Sequence, residues 1–138
     1  SSISYTGNNR THMIRIPDQG RFELRLMDGS ANPYLLQAGV LAAGLYGLNN
    51  KSDPGEPLNC NMYTDYENYQ NLTKLPDDLE ESLEILNENK NMRESFGSEV
   101  IDSYLKLKKQ EVKDFFKDEI FDKSKDITKW EKNNTLDC

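Results

Sequence analysis

The stretch THMIRIPDQGRFELRLM, residues 11–27, decides the fold. Its first half alternates in the β manner. Ile14 and Ile16 fall on one side with His12, and Arg15 falls on the other with Thr11 and Met13. Pro17-Asp18-Gln19-Gly20 supplies turn chemistry. The second half alternates more cleanly. Phe22, Leu24 and Leu26 form a predicted buried face, and Arg21, Glu23 and Arg25 stand opposite. Next-but-one residues on a strand lie about 6.6–6.8 Å apart. The reading is an antiparallel β-hairpin with strands over 11–16 and 21–27.

Upstream, residues 1–10 read as loop, with Gly7-Asn8-Asn9 as a turn signal. Downstream, Asp28 to Pro33 is a loop that starts a helix. Asn32 suits the N-cap and Pro33 the first helical position. Tyr34 to Leu48 is apolar or small nearly throughout, which predicts a buried central helix. At 15 residues it falls short; a membrane span needs about 20. Gly39, Ala43 and Gly44 would admit neighbouring backbone, and Gly47 with Asn49-Asn50 closes the helix.

Residues 51–76 are rich in Pro, Asn and Tyr and read as a long irregular connection. Tyr63, Tyr66 and Tyr69 would tether it to its own domain or pack on a partner. A short helix follows, with Asp77 as N-cap, Glu80 three residues on, and Leu79, Leu83 and Leu86 as its stripe. A longer helix over about 99–117 carries Ile101, Tyr104, Leu105, Val112, Phe115 and Phe116. A last helical segment carries Ile120, Phe121, Ile127 and Trp130. The fold class is therefore α+β: an antiparallel β-hairpin followed by a mostly helical C-terminal region.

The chain has 138 residues, room for one ordinary domain. Its net charge of −7 argues against nucleic acid, which calls for a basic stripe. Cys60 and Cys138 lie far apart and suggest reduced thiols of a cytoplasmic protein. The start at Ser1-Ser2 rather than Met suggests a piece of something longer. Charge is uneven: residues 1–51 carry a net +2 and residues 52–138 a net −9. Four of the five arginines fall within the first 25 residues. Arginine is the cation suited to gripping phosphate or carboxylate.

Arg21-Phe22-Glu23-Leu24-Arg25 sets one carboxylate between two guanidinium groups on a strand face. Arg15 on the preceding strand would add a third, and Arg10 a fourth. Flanking positive charge keeps Glu23 ionised, the state a hard cation requires. Guanidinium forks around one acid suit phosphoryl transfer, in which cations neutralise the transferred group. A cross-strand salt-bridge ladder would use the same spacing. One Glu does not complete the octahedral oxygen shell that Mg2+ takes. His12, the single histidine, reads as a packed residue. No Gly-rich phosphate loop, metal-spaced Cys/His set or nucleophile elbow is present in the sequence.

Asn9-Arg10, Arg15-Ile16-Pro17, Arg21-Phe22-Glu23-Leu24-Arg25, Asp28-Gly29-Ser30-Ala31-Asn32-Pro33-Tyr34-Leu35 and Ala42-Ala43-Gly44-Leu45 follow one another as in the C-terminal part of glutamine synthetases. Lys51 to Pro57, Leu75-Pro76 with the acidic helix after it, and the end from Trp130 to Cys138 are similar to that family too. Arg25-Leu26-Met27-Asp28-Gly29 and the Leu136-Asp137-Cys138 end resemble the branch that includes γ-glutamylmethylamide synthetases. The resemblance implies an ATP-dependent ligase that phosphorylates the γ-carboxylate of glutamate and lets ammonia or an alkylamine displace phosphate. By the resemblance, Glu23 is a ligand of Mg2+ or Mn2+. Arg25 contacts glutamate or the transferred phosphoryl group. Arg10 and Arg15 hold ATP phosphates, Arg10 also serves glutamate, and Arg21 lies near the nucleotide. It further implies a ring-shaped homo-oligomer, with no nucleic acid or membrane as partner. Residues 1–138 would be the C-terminal portion of the catalytic domain, without the N-terminal β-grasp domain and inactive alone. Thr73 stands where some members carry a modified tyrosine, so control by adenylylation is not expected. A non-catalytic anion-binding or assembly module is the alternative.

Overall fold

A computed structural model describes residues 2–118 and 127–135. They divide into two compact units. One comprises residues 2–29 and 52–77, the other residues 30–51, 78–118 and 127–135.

The first unit holds a three-stranded sheet in the order β1, β2, β3: Tyr5–Thr6, Ile14–Asp18 and Arg21–Leu24. The predicted hairpin is β2 and β3, antiparallel, with Ile14 opposite Leu24 and Arg15 opposite Glu23. Its strands differ from the expectation. β2 begins at Ile14 rather than Thr11, and it runs through Pro17 to Asp18. The turn shrinks to Gln19-Gly20. Gly20 has φ +78°, a conformation that L side chains rarely adopt. Between Arg15 and Asp18 the register shifts, so β2 carries one residue more than β3. Pro17 falls in that bulge, where its missing N–H costs no ladder bond. Pairing continues past β3, since the Arg25 amide donates to Met13 O at 2.9 Å.

The expectation of loop over residues 1–10 misses β1; two residues are too few to show alternation. It pairs in parallel with β2, Tyr5 opposite Ile14. Within this unit the predicted irregular connection is held down by backbone bonds, such as Leu58 N–H donating to Tyr5 O at 2.9 Å. It also contains one 3₁₀ turn, Tyr66–Tyr69.

The second unit is helical. α1 spans Pro33–Asn49, and the Asn32 side chain accepts from the amides of Tyr34 and Leu35, as the sequence predicts. α2 (Leu79–Glu88), α3 (Lys90–Phe96), α4 (Ser98–Asp118) and α5 (Lys129–Asn134) follow. The cap of α2 is Asp78, one residue beyond the predicted Asp77; its carboxylate accepts from Glu81 N–H at 2.8 Å. α3 has no counterpart in the sequence expectation. Asn89 caps it by accepting from Met92 N–H at 3.0 Å, and Gly97 at φ +85° stops it. Ile127 precedes α5 and is exposed. Ile120, Phe121 and Cys138 lie outside the described residues.

The predicted stripes of α2 and α4 do meet. Leu83, Ile101 and Leu105 form the buried cluster, with Leu86, Phe96, Tyr104 and Val112 packed around it. Trp130 of α5 stands edge-on to Phe115 with ring centroids 5.6 Å apart. Leu83 is only 2% exposed. Leu83→Ala is expected to lower unfolding free energy by about 2–5 kcal/mol, through lost transfer energy and a residual cavity. Urea denaturation checks this; a loss below about 1 kcal/mol would mean that the cluster collapses around the gap.

Two burial expectations fail. α1 buries no residue, and Tyr34 is 82% and Leu48 76% exposed. Its neighbour in the unit is the short α3, which covers only part of a helix that is apolar all round. Likewise Phe22 is 60% exposed and Leu26 is exposed. Periodicity reports which side chains avoid water; it does not report whether the elements that cover them lie within these 138 residues.

Candidate active site

Pairing Arg15 directly opposite Glu23 brings their charged ends into contact. Arg15 Nη1 donates to Glu23 Oε2 at 2.7 Å, and Arg21 Nη2 donates to Glu23 Oε1 at 2.8 Å. Both carboxylate oxygens are thus engaged. Arg15 is further fixed by Asn8, whose Oδ1 accepts from Nε at 2.9 Å and from Nη2. The Arg15 side chain is largely buried, that of Glu23 about one-third exposed, and Arg21 open to solvent.

This arrangement holds the Glu23 carboxyl below its ordinary pKa. The Arg15 hydrogen bond is the main cause, partly opposed by desolvation, with the charges of Arg15, Arg21 and Arg25 adding to it. A depressed carboxyl stabilises the fold only while ionised. Its contribution is present above the unfolded value, about 4.3, and is lost as pH falls through the native one. Stability measured from pH 5 down to pH 3 is therefore expected to fall less steeply in Glu23→Gln than in the wild type. Equal slopes would show that the ion pairs carry no linkage.

Arg25 and Arg10 are placed differently. Both line a cavity of about 280 Å³ together with Ser2, Ser4, His12 and Tyr63. Neither guanidinium forms a hydrogen bond or ion pair among the described residues, although the Arg25 charge reaches Glu23. Ser2 Oγ is buried in the same lining and has no hydrogen-bond partner among the described residues. The five residues singled out from sequence therefore fall into two sets within one unit. Arg15, Arg21 and Glu23 form an ion-pair network, and Arg10 and Arg25 line a cavity.

Sequence reasoning missed the residues that frame this space. Thr11 lines it, its amide and hydroxyl each donating to Asn9 Oδ1 at 2.9 Å. His12 is 3% exposed, in keeping with the packed residue expected, yet it also borders the cavity. Met62, Tyr63 and Tyr66 border it from the long connection, where composition alone gave no position. Burial pushes the nearby Cys60 thiol up, and the Asp65 charge adds to this.

Glu23 supplies one ionised oxygen donor, which suits a hard cation. No group of three or more His, Cys, Asp and Glu capable of holding a metal occurs among the described residues. The chain thus fits a metal as the source of a single ligand. No helix among the described residues is long and apolar enough to cross a membrane.

The family model described as the glutamine synthetase catalytic domain matches residues 1–133. A glutamine synthetase of Rhizobium meliloti (strain 1021) is 44% identical over 137 residues, 99% of this chain and 30% of that protein. A glutamate–methylamine ligase of Methyloversatilis universalis is 40% identical over 139 residues, 98% of this chain and 29% of that protein. A solved structure described as a GmaS/ADP complex superposes with a TM-score of 0.80 at 40% identity, covering 99% of this chain and 30% of that one. The chain spans about 30% of the length of these relatives.

Proposed function

Since the chain belongs to the glutamine synthetase family, through the catalytic domain that matches residues 1–133, we propose that it is the C-terminal portion of an ATP-dependent glutamate–ammonia ligase. The observation that carries this reading is the pair Arg10 and Arg25, two guanidinium groups lining one cavity, neither in a hydrogen bond or ion pair among the described residues, with Glu23 acting on Arg25 only through its charge. Guanidinium forks left without a hydrogen-bonded counter-ion in a concave site are prepared for a carboxylate or a phosphoryl group.

In the proposed reaction an oxygen of the glutamate γ-carboxylate attacks the γ-phosphorus of ATP, and ADP leaves. The amine nitrogen then attacks the acyl carbon, and inorganic phosphate leaves with the electron pair of the C–O bond. Arg25 orients the γ-carboxylate or the phosphoryl group moving onto it. Arg10 and Arg15 hold ATP phosphates, with Arg10 reaching glutamate as well, and Arg21 lies beside the nucleotide. Fixed cations of this kind act without reorganising during the step. Mg2+ or Mn2+, held by Glu23 and by donors from the remainder of the protein, would supply neutralisation of phosphate charge. The Arg15 and Arg21 guanidiniums keep that carboxylate ionised and aimed until then.

The complete protein is read as a cytoplasmic ring-shaped homo-oligomer, and this piece alone as inactive. Phosphate release by the complete protein tests the proposal. Release should require ATP, Mg2+, glutamate and an amine together; no release with either ammonia or methylamine would end it. Likeness to a glutamate–methylamine ligase and to a GmaS structure, both at 40% identity, favours methylamine as the second acceptor to be tried.

A further inference from the structure

His12 has both ring nitrogens engaged. Nε2 lies 2.9 Å from the carbonyl oxygen of Cys60, and Nδ1 lies 3.0 Å from Ser4 Oγ. A carbonyl only accepts, so Nε2 carries the hydrogen; in the neutral ring Nδ1 then accepts from the Ser4 hydroxyl. The same Cys60 carbonyl accepts from Asn9 Nδ2 at 2.9 Å. Further bonds run in parallel: Thr6 Oγ1 donates to Asn59 Oδ1 at 2.9 Å, and Met62 N–H donates to Thr11 Oγ1 at 3.0 Å. Residues 58–62 are in this way laced to residues 4–12. Arg10 sits between two of the lacing residues, Asn9 and Thr11, and its own side chain is left for the cavity.

From this geometry we infer that His12 is a positioning residue. Its Nε2–H···O bond to Cys60 fixes the segment that leads into Met62 and Tyr63 relative to Arg10, and so sets the fit of the Arg10–Arg25 cavity to its acidic substrate. The inference rests on the ligase reading, in which that cavity takes glutamate. The ring acts through the wall it holds rather than on the reacting atoms.

The test uses the complete protein with His12→Phe, His12→Gln and Ser4→Ala. Phenylalanine keeps the ring and loses both bonds; glutamine keeps an N–H donor for the Cys60 carbonyl. His12→Phe should raise the glutamate KM about tenfold, in keeping with the cost of sub-ångström misplacement of positioned groups. The ATP KM should rise to a smaller extent, because Arg10 is also assigned to the ATP phosphates, kcat should change least, and His12→Gln should recover most of the loss. Ser4→Ala, which frees Nδ1 alone, should raise the glutamate KM a few-fold.

An unchanged glutamate KM in His12→Phe overturns the inference. So does equal behaviour of Phe and Gln, or a common fall of every kinetic parameter with the melting temperature. Should His12→Phe fail to assemble, Ser4→Ala and His12→Gln decide: a glutamate KM unmoved by Ser4→Ala, or raised as strongly in Gln as tenfold, overturns it. Failure of the ligase reading looks different, because the wild type would then release no phosphate with glutamate.

Discussion

Glu23→Gln in the complete protein is expected to reduce amine-dependent phosphate release by on the order of 10³-fold, the scale on which phosphoryl transfer depends on its fixed charges. The replacement is nearly isosteric, so the hairpin is retained. An amide oxygen can still accept from Arg15, which now donates to Glu23 Oε2 at 2.7 Å. What disappears is the negative charge. The Arg15 and Arg21 guanidiniums would then face each other across a neutral group, and the hard-cation donor would be gone. Direct Mn2+ titration should show weakened binding alongside the lost turnover. Near-normal activity with undisturbed Mn2+ affinity would identify Glu23 as an ion-pair partner alone, the ladder that the strand spacing equally allows.

Arg25→Ala should be almost as damaging to activity, lowering kcat/KM by about 10²–10³-fold, while leaving stability within about 0.5 kcal/mol of wild type. The separation follows from how the residue is held. Its backbone is secured by the bond to Met13 O at 2.9 Å, which any side chain retains, whereas its guanidinium forms no hydrogen bond or ion pair among the described residues. Arg25→Lys should restore charge without the planar fork and recover only part of the loss. Kinetics paired with thermal melting check this. A variant that loses stability but keeps its kcat/KM would make Arg25 a structural cation.

Much of this is legible in the sequence because local chemistry determines it. The alternation of residues 21–25 and the turn chemistry of Pro17-Asp18-Gln19-Gly20 mark a hairpin with Arg15 on the strand beside Glu23, but the register that sets the two directly opposite comes from the bulge. Asn32 followed by Pro33 could hardly begin anything but a helix. What escapes depends on distant partners. The bulge at Pro17 arises only once β3 is alongside. Asp77 with Glu80 reads as the cap, but the helix starts one residue later, at Asp78, whose carboxylate accepts from Glu81 N–H. α3 rests on one asparagine and one glycine, too little to stand out in a polar stretch. In the site, the separation of Arg10 and Arg25 from the ion-pair network follows from residues about 50 positions downstream bonding to residues 4–12, a relation that spacing along one strand does not encode. His12 reads as packed from its sequence alone, but its link to Cys60 is visible only in three dimensions.

The bareness of α1 has a practical side. Leu41, Leu45 and Leu48 face water along one helix, a surface that a chain of this size rarely tolerates. Ammonium sulfate strengthens attraction between such surfaces. It should bring this 138-residue chain out of solution at a lower concentration than a variant with Leu41, Leu45 and Leu48 each replaced by Lys, and a mild detergent should reverse this.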